Sequence, residues 1–398
     1  MKLTTLILTA TFATASLWAQ GRGPAVVSPE VSADGRVTFR LRAPNAKEVA
    51  VTGIGAAGTR LAMQKDDKGI WSATTDALRP DIYAYSFSVD GATFIDPGNP
   101  LLKTAYGNAG QSIVRVPAGT SPAWAPADGP RGIVSHHEFK SAIIGAERDY
   151  YVYTPPNYDP NRREAYPVLF LLHGLGDDAA GWLNVGSANT ILDNLINQGK
   201  AKPMIMVNTL GYGTPDGPTG AMGANMIPTF AKSLVEEVLP QVEKSYHVAK
   251  DRNQRAIAGL SMGGAESLFT GLNYLDHFAY IGSFSGAFVM WPSTNPPAPA
   301  AQTGGRGGGR GGAQTRDAAD FERIFPSINA KTNSQLKLVW IACGLDDNLI
   351  TVNRQFKTWL KSKDIAFTEV EAPGFAHVWP LWRQNLTDLA PLLFQSKK

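Results

Sequence analysis

Cysteine is almost missing from this 398-residue sequence: Cys343 is the single one, so no intramolecular disulfide can form, and its place in an apolar strand pattern marks it as buried packing. Charge is scarce too. Asp, Glu, Lys and Arg make up 18% of the residues, with a net charge of +3, and the basic residues are spread along the chain rather than gathered on one element. That removes the electrostatic footprint of a nucleic-acid-binding protein. The six histidines include no pair with ligand spacing, so neither a metal nor another cofactor is expected. Beyond the N-terminus no apolar run is long enough to span a bilayer. What is present is 43% hydrophobic residues, the content of a well-buried globular chain long enough for two domains.

The N-terminal stretch Met1 to Gln20 places a basic residue, Lys2, before an uncharged apolar segment and small residues at Ala13, Ala15 and Ala19. This is the pattern of a cleaved secretory signal peptide, and the segment is too short and threonine-rich for a stable membrane span. From about Val26 to Pro117 the period is two: Val37, Phe39 and Leu41 share a face, as do Tyr83, Tyr85, Phe87 and Val89. Asp34-Gly35 and Asp90-Gly91 are hairpin dipeptides. A small all-β sandwich is expected there, with Trp71, Tyr83 and Tyr85 turned to its core rather than to a sugar. "PAGTSPAWAPADGPRG", Pro117 to Gly132, breaks the periodicity and reads as a linker over 118–132. From 133 to 398 apolar runs such as "YPVLFLLHG" and "PMIMVNTL" alternate with helical spacing, as over Phe230 to Lys244. That alternation predicts an α/β domain with a mostly parallel sheet. Asn295 to Arg316, rich in Gly, Pro, Ala and Arg, cannot build a core and reads as a flexible surface insertion.

Within the second domain, Gly259-Leu260-Ser261-Met262-Gly263 fits G-x-S-x-G, the turn that presents a nucleophilic serine between a strand and a helix. The context is right: Arg255 to Ala258 is a short apolar strand, and Met262 to Thr270 is helix-forming. Side chains at Gly259 or Gly263 would crowd the turn. A serine hydroxyl needs a base and a carboxylate to orient that base. His377 supplies the first; His136 and His137 precede the first strand expected in this domain, and His247 and His277 lie at element ends without an acidic loop nearby in sequence. The strand Leu336 to Ala342 runs into a loop carrying Asp346 and Asp347, and the pattern G-x-x-D favours Asp347. The order Ser, Asp, His is that of α/β-hydrolases. An oxyanion would be held by the N–H of Met262, after the nucleophile, and by one from "LLHGLGDDAAGW": Leu175, with Gly174 and Gly176 as alternatives. His173 then supports that loop.

Together "YVYTPPNYD", "LLHGLGDDAAGW", "ILDNLINQGKAKPMIMV", "GLSMGG" and "GFAHVWPLW" resemble the feruloyl esterase and esterase D-like family of α/β-hydrolases, over about Phe139 to Gln395. The N-terminal stretch is similar to the early-set, immunoglobulin-like module that accompanies many glycan-active enzymes. The resemblance implies an exported esterase releasing ferulate-like acids from plant xylan, with Ser261, Asp347 and His377 as triad and Leu175 and Met262 as oxyanion donors. A siderophore, acetyl-xylan or other small-ester hydrolase is the enzymatic alternative, and a silent glycan-binding protein the alternative of another class. Trp182, closing the "LLHGLGDDAAGW" loop, and Trp291, closing "FSGAFVMW", are the expected substrate-binding aromatics, the latter with Phe284 and Phe288. The expected partner is an ester substrate carried on a polysaccharide or oligosaccharide, with no nucleic acid.

Overall fold

In the computed structural model, residues 26–54, 60–106, 110–117, 122–217, 225–292 and 315–395 are described. The expected signal peptide and nearly all of the Gly/Arg-rich insertion lie outside them.

Period-two alternation folds the first domain into two facing sheets. One contains β1 (Glu30–Val31), β2 (Val37–Arg42), β5 (Gln64–Lys65) and β6 (Ile70–Thr74) in the order β1-β2-β6-β5. The other runs β4 (Arg60–Ala62), β3 (Val49–Thr52), β7 (Asp81–Val89), β10 (Gln111–Val116) and β9 (Leu102–Lys103), with β8 (Ala92–Phe94) added on β7. Asp90 and Gly91 both take positive φ, 48° and 87°, as the tight turn between β7 and β8 requires. Val37, Phe39, Val51, Tyr85 and Phe87 fill the space between the sheets, and Trp71 and Tyr83 join them, so the aromatics face the core as the alternation predicts.

The second domain is built on one eight-stranded sheet: β11 (Ile133–Ser141), β12 (Ala146–Thr154), β13 (Val168–Leu172), β14 (Ile205–Thr209), β15 (Arg255–Leu260), β16 (Tyr280–Phe284), β17 (Leu338–Gly344) and β18 (Thr368–Ala372). The order is β11-β12-β14-β13-β15-β16-β17-β18. β11 and β12 pair antiparallel at one edge, and every pairing from β14 to β18 is parallel. The central strands β13, β15 and β16 are buried at every residue, as sheets covered on both faces demand. Helices α1 (Gly181–Asn184), α2 (Ala188–Asn197), α3 (Met226–Ser233), α4 (Leu239–Ser245), α5 (Met262–Asn273), α6 (Ala318–Ile324), α7 (Ile350–Ser362) and α8 (Trp379–Leu389) cover it. This is the α/β-hydrolase architecture. No helix among the described residues is long and apolar enough to cross a membrane.

Two differences from the sequence expectation concern the connections. Residues 122–132 of the expected linker are a docked strap: Trp124 is buried with Ile82 and Ile113 of the first domain against the second, and Asn194 on α2 donates to the Ala123 and Ala125 carbonyls at 2.9 and 2.8 Å. The far end of the 295–316 segment is likewise not free. Arg316 is buried, with its backbone N–H on Gln355 Oε1 at 2.9 Å and its guanidinium on the Pro292 carbonyl at 2.9 Å. A guanidinium can satisfy several carbonyls at once, which lets one charged residue anchor a core-poor segment.

Candidate active site

Between the last residue of β15 and the first of α5 stands Ser261, alone on the turn, at φ 54° and ψ −115°. That backbone is costly for a non-glycine residue and persists only where its surroundings fix it. Here the Ser261 N–H donates to the Phe284 carbonyl and the Ala287 N–H donates to the Ser261 carbonyl, both at 2.8 Å. The flanking glycines are dictated by space. A Cβ at Gly259 would lie 2.5 Å from the Gly263 backbone, and one at Gly263 would lie 2.5 Å from the Leu172 and His173 carbonyl oxygens.

His377, on the loop between β18 and α8, sets Nε2 3.0 Å from Ser261 Oγ and Nδ1 2.8 Å from Asp347 Oδ2. The three expected residues therefore meet in one chain of hydrogen bonds: with Nδ1–H given to Asp347, Nε2 accepts from the serine hydroxyl. Asp347 is buried, whereas Asp346 is exposed and uses its backbone N–H on the Phe375 carbonyl at 3.1 Å, tying the acidic loop to the histidine loop. Burial pushes the Asp347 carboxyl up. The hydrogen bond and charge attraction of His377, the Leu349 N–H at 2.9 Å and the Ser285 hydroxyl outweigh that and hold it below the ordinary carboxylate value.

Two residues of this network, Ser285 inside "FSGAFVMW" and Trp382 at the end of "GFAHVWPLW", were not singled out in the sequence. Ser285 follows β16, is fully buried and takes φ 49°. Its Oγ accepts from Trp382 Nε1 at 3.2 Å, and the Trp382 ring meets the His377 imidazole edge-on at 4.8 Å. The imidazole is thus fixed by a carboxylate at one atom and by an indole against its face or edge.

The turn after β13 lies against Ser261: a Cβ at Gly174 would be 3.3 Å from that of Ser261. Met262 opens α5, where an N–H has no intrahelical acceptor and the helix dipole is positive. Of the N–H groups in the turn, those of Gly176 and Asp177 are engaged, donating to the Tyr212 hydroxyl at 2.7 Å and to the Gly174 carbonyl at 3.1 Å. His173 is buried and works for the turn, its Nδ1 donating to the Gly174 carbonyl at 2.8 Å and its Nε2 accepting from the Gly211 N–H at 2.9 Å. Burial favours its neutral form.

Trp182 and Trp291 are not substrate-facing. Trp182 is completely buried and donates from Nε1 to the Leu172 carbonyl at 2.8 Å. Trp291 is buried in an aromatic cluster with Phe288 and Phe356, its Nε1 on the Ala265 carbonyl at 2.8 Å. Phe284 and Phe288 are buried as well. Each indole N–H finds a backbone carbonyl inside, so nothing favours exposing these rings. Trp379, two residues after His377 in sequence, is half-buried and edge-on to Trp182 and Trp382 at 5.2 and 5.3 Å. Leu175, Leu345 and Val378, each adjacent in sequence to a site loop residue, are exposed. Cys343 is buried, which pushes its thiol up to about 12. Among the described residues no three His, Cys, Asp or Glu side chains gather as a metal site.

Comparison with known proteins places these features. A family model described as "Putative esterase" matches residues 141–393, and one described as "Carbohydrate-binding module 48 (Isoamylase N-terminal domain)" matches residues 25–104. The endo-1,4-beta-xylanase/feruloyl esterase of Xylanibacter ruminicola is 30% identical over 374 residues, covering 92% of this chain and 46% of that protein. The chain thus spans about half the length of this relative. The solved ferulic acid esterase of Anaeromyces mucronatus superposes with a TM-score of 0.52 at 24% identity, over 67% of this chain and 92% of that one. The enterobactin esterase of Shigella flexneri reaches 0.60 at 20% identity, over 89% and 93%.

Proposed function

This chain belongs to the esterase family, and on that premise we propose that it is a serine carboxylic ester hydrolase that releases hydroxycinnamic acids such as ferulate from plant cell-wall xylan. The observation that carries the chemistry is the unbroken path from Ser261 Oγ to His377 at 3.0 Å and from His377 to Asp347 at 2.8 Å. His377 Nε2 takes the Ser261 proton as Oγ attacks the ester carbonyl. The Met262 and Leu175 N–H groups receive the negative charge that develops on the carbonyl oxygen. As the tetrahedral intermediate collapses, His377 returns the proton to the departing alcohol, leaving an acyl-serine. Water, deprotonated by the same imidazole, then repeats the sequence and frees the acid. Asp347 stays ionised throughout and keeps the imidazole in the tautomer that presents a bare Nε2.

The acyl assignment is supported by the name of the xylanase/feruloyl esterase relative, whose likeness extends over both domains of this chain, and by Trp379, half-buried two residues after His377 and packed on Trp382, which meets that imidazole. The glycan-module match at the N-terminus supports a polysaccharide-borne ester, and the Met1 to Gln20 pattern supports export. Catecholate siderophore esters are the second reading, favoured by the two-domain superposition on enterobactin esterase. Purified protein would be assayed on feruloylated arabinoxylan fragments, acetylated xylan and a catecholate siderophore ester at matched ester concentration. Higher kcat/KM for ferulate release is expected. Preference for acetate, or turnover of the siderophore ester alone, would remove the feruloyl assignment and leave the serine mechanism in place.

A further inference from the structure

The first domain reaches across to the turn that follows β13. Lys103, at the end of β9, sets Nζ 2.7 Å from Asp177 Oδ1, and the two side chains are only 19% and 8% exposed. Beside it Asn184 donates from Nδ2 to Thr104 Oγ1 at 3.2 Å. Tyr106 then brings its ring to 5.4 Å from that of Tyr212. Tyr212 is fully buried; its hydroxyl accepts the Gly176 N–H at 2.7 Å and donates to the Asp177 carbonyl at 2.9 Å. The 174–177 turn, closed by the Asp177 N–H on the Gly174 carbonyl at 3.1 Å, is therefore gripped at its side chain by Lys103 and along its backbone by Tyr212, and the first domain touches both grips. Leu175 lies within that turn.

We propose that Lys103 is a positioning residue for ester hydrolysis, through which the N-terminal module holds the 174–177 turn so that the Leu175 N–H meets the developing oxyanion. This rests on the assignment of Ser261 and Leu175 made above. A donor of this kind acts only when held within roughly 0.5 Å of its productive place, and a misplacement of about 1 Å costs about 100-fold in rate. An ion pair this far from water is the stronger kind of tether, because removing one partner leaves the other charge buried and unmatched, and the loop carrying it must shift to reach solvent. A module that served only to capture polysaccharide would influence KM on polymers and leave small soluble esters untouched. A module that positions the turn changes kcat even on those.

The test uses the full chain and 4-nitrophenyl butyrate, comparing the parent with Lys103→Met, Lys103→Arg and the reversed pair Lys103→Glu/Asp177→Lys, each checked for folding by near-UV circular dichroism. Expected is a folded Lys103→Met with kcat lowered about 10- to 100-fold and KM little changed, most activity kept by Lys103→Arg, and recovery in the reversed pair. A folded Lys103→Met with parental kcat, or a loss confined to KM, overturns the proposal. Should Lys103→Met not fold, the reversed pair decides: regained folding and turnover support the tether, and a folded but inactive pair refutes it. A parent that does not cleave the ester, or an active Ser261→Ala, overturns the underlying assignment too and is separately visible.

Discussion

Asp347 Oδ2 lies 2.8 Å from His377 Nδ1, while Asp346, its immediate neighbour, is exposed and binds the histidine loop through its backbone alone. Only the first can fix the imidazole tautomer. Asp347→Asn is expected to lower kcat about 10⁴-fold on a nitrophenyl ester, and Asp346→Asn to stay near the parent. Steady-state kinetics on the two folded variants would transfer the role to Asp346 if the order were reversed.

The Ser285 hydroxyl helps hold the Asp347 carboxyl below its ordinary value and accepts the Trp382 N–H at 3.2 Å, so its removal raises that carboxyl and leaves the buried indole N–H without this acceptor. A hydrogen bond to a charged group contributes about 1.5–3 kcal/mol. Ser285→Ala should therefore lose about 10- to 100-fold in kcat with the protein folded. Unchanged kcat would show that the Leu349 N–H and His377 suffice to hold Asp347.

The meeting of Ser261, His377 and Asp347 could be anticipated from the chain because its parts are local: a serine between crowded glycines, an acidic loop after an apolar strand, a histidine on a late loop. The two-sheet module was legible for the same reason, through alternation and Asp-Gly turns. Trp182 and Trp291 misled because an aromatic beside a motif looks the same in sequence whether it faces substrate or core. What decides is a buried acceptor, here the Leu172 and Ala265 carbonyls, contributed by a strand end ten residues before Trp182 and by a helix 26 residues before Trp291, a folded arrangement that spacing alone does not show. Ser285 and Lys103 were not singled out, since what distinguishes each is a tertiary contact that neither spacing nor composition encodes.

Trp379 offers the aromatic surface that Trp182 and Trp291 do not. Trp379→Ala should reduce kcat/KM for a feruloyl ester more than for an acetyl ester, by up to the roughly 0.5–1.5 kcal/mol that aromatic pairing adds beyond buried area, or about 2- to 13-fold. Equal losses on both esters would assign Trp379 to packing against Trp182 and Trp382.

Glu266, on α5, is fully buried, and among the described residues neither carboxyl oxygen has a hydrogen-bond partner. Burial raises its pKa well above the ordinary value, favouring the protonated form in the folded state. The sign follows: stability linked to this group is complete below its unfolded pKa of about 4.3 and is lost as pH rises from there toward the folded pKa, at about 1.4 kcal/mol per pH unit. Glu266→Gln does not titrate. Its Tm relative to the parent should rise between pH 5 and pH 8; a difference constant across that range would mean the carboxyl is not coupled to folding.

The most direct test of the account is the turnover of an activated acyl ester by the parent and by Ser261→Ala, both verified as folded. With Oγ removed there is no acyl-serine, and kcat is expected to fall by about 10⁴-fold or more, leaving only the residual rate that oxyanion donors and binding provide. A folded Ser261→Ala protein that turns the ester over at close to the parental rate would contradict the assignment of Ser261 as nucleophile and with it the mechanism built on that residue.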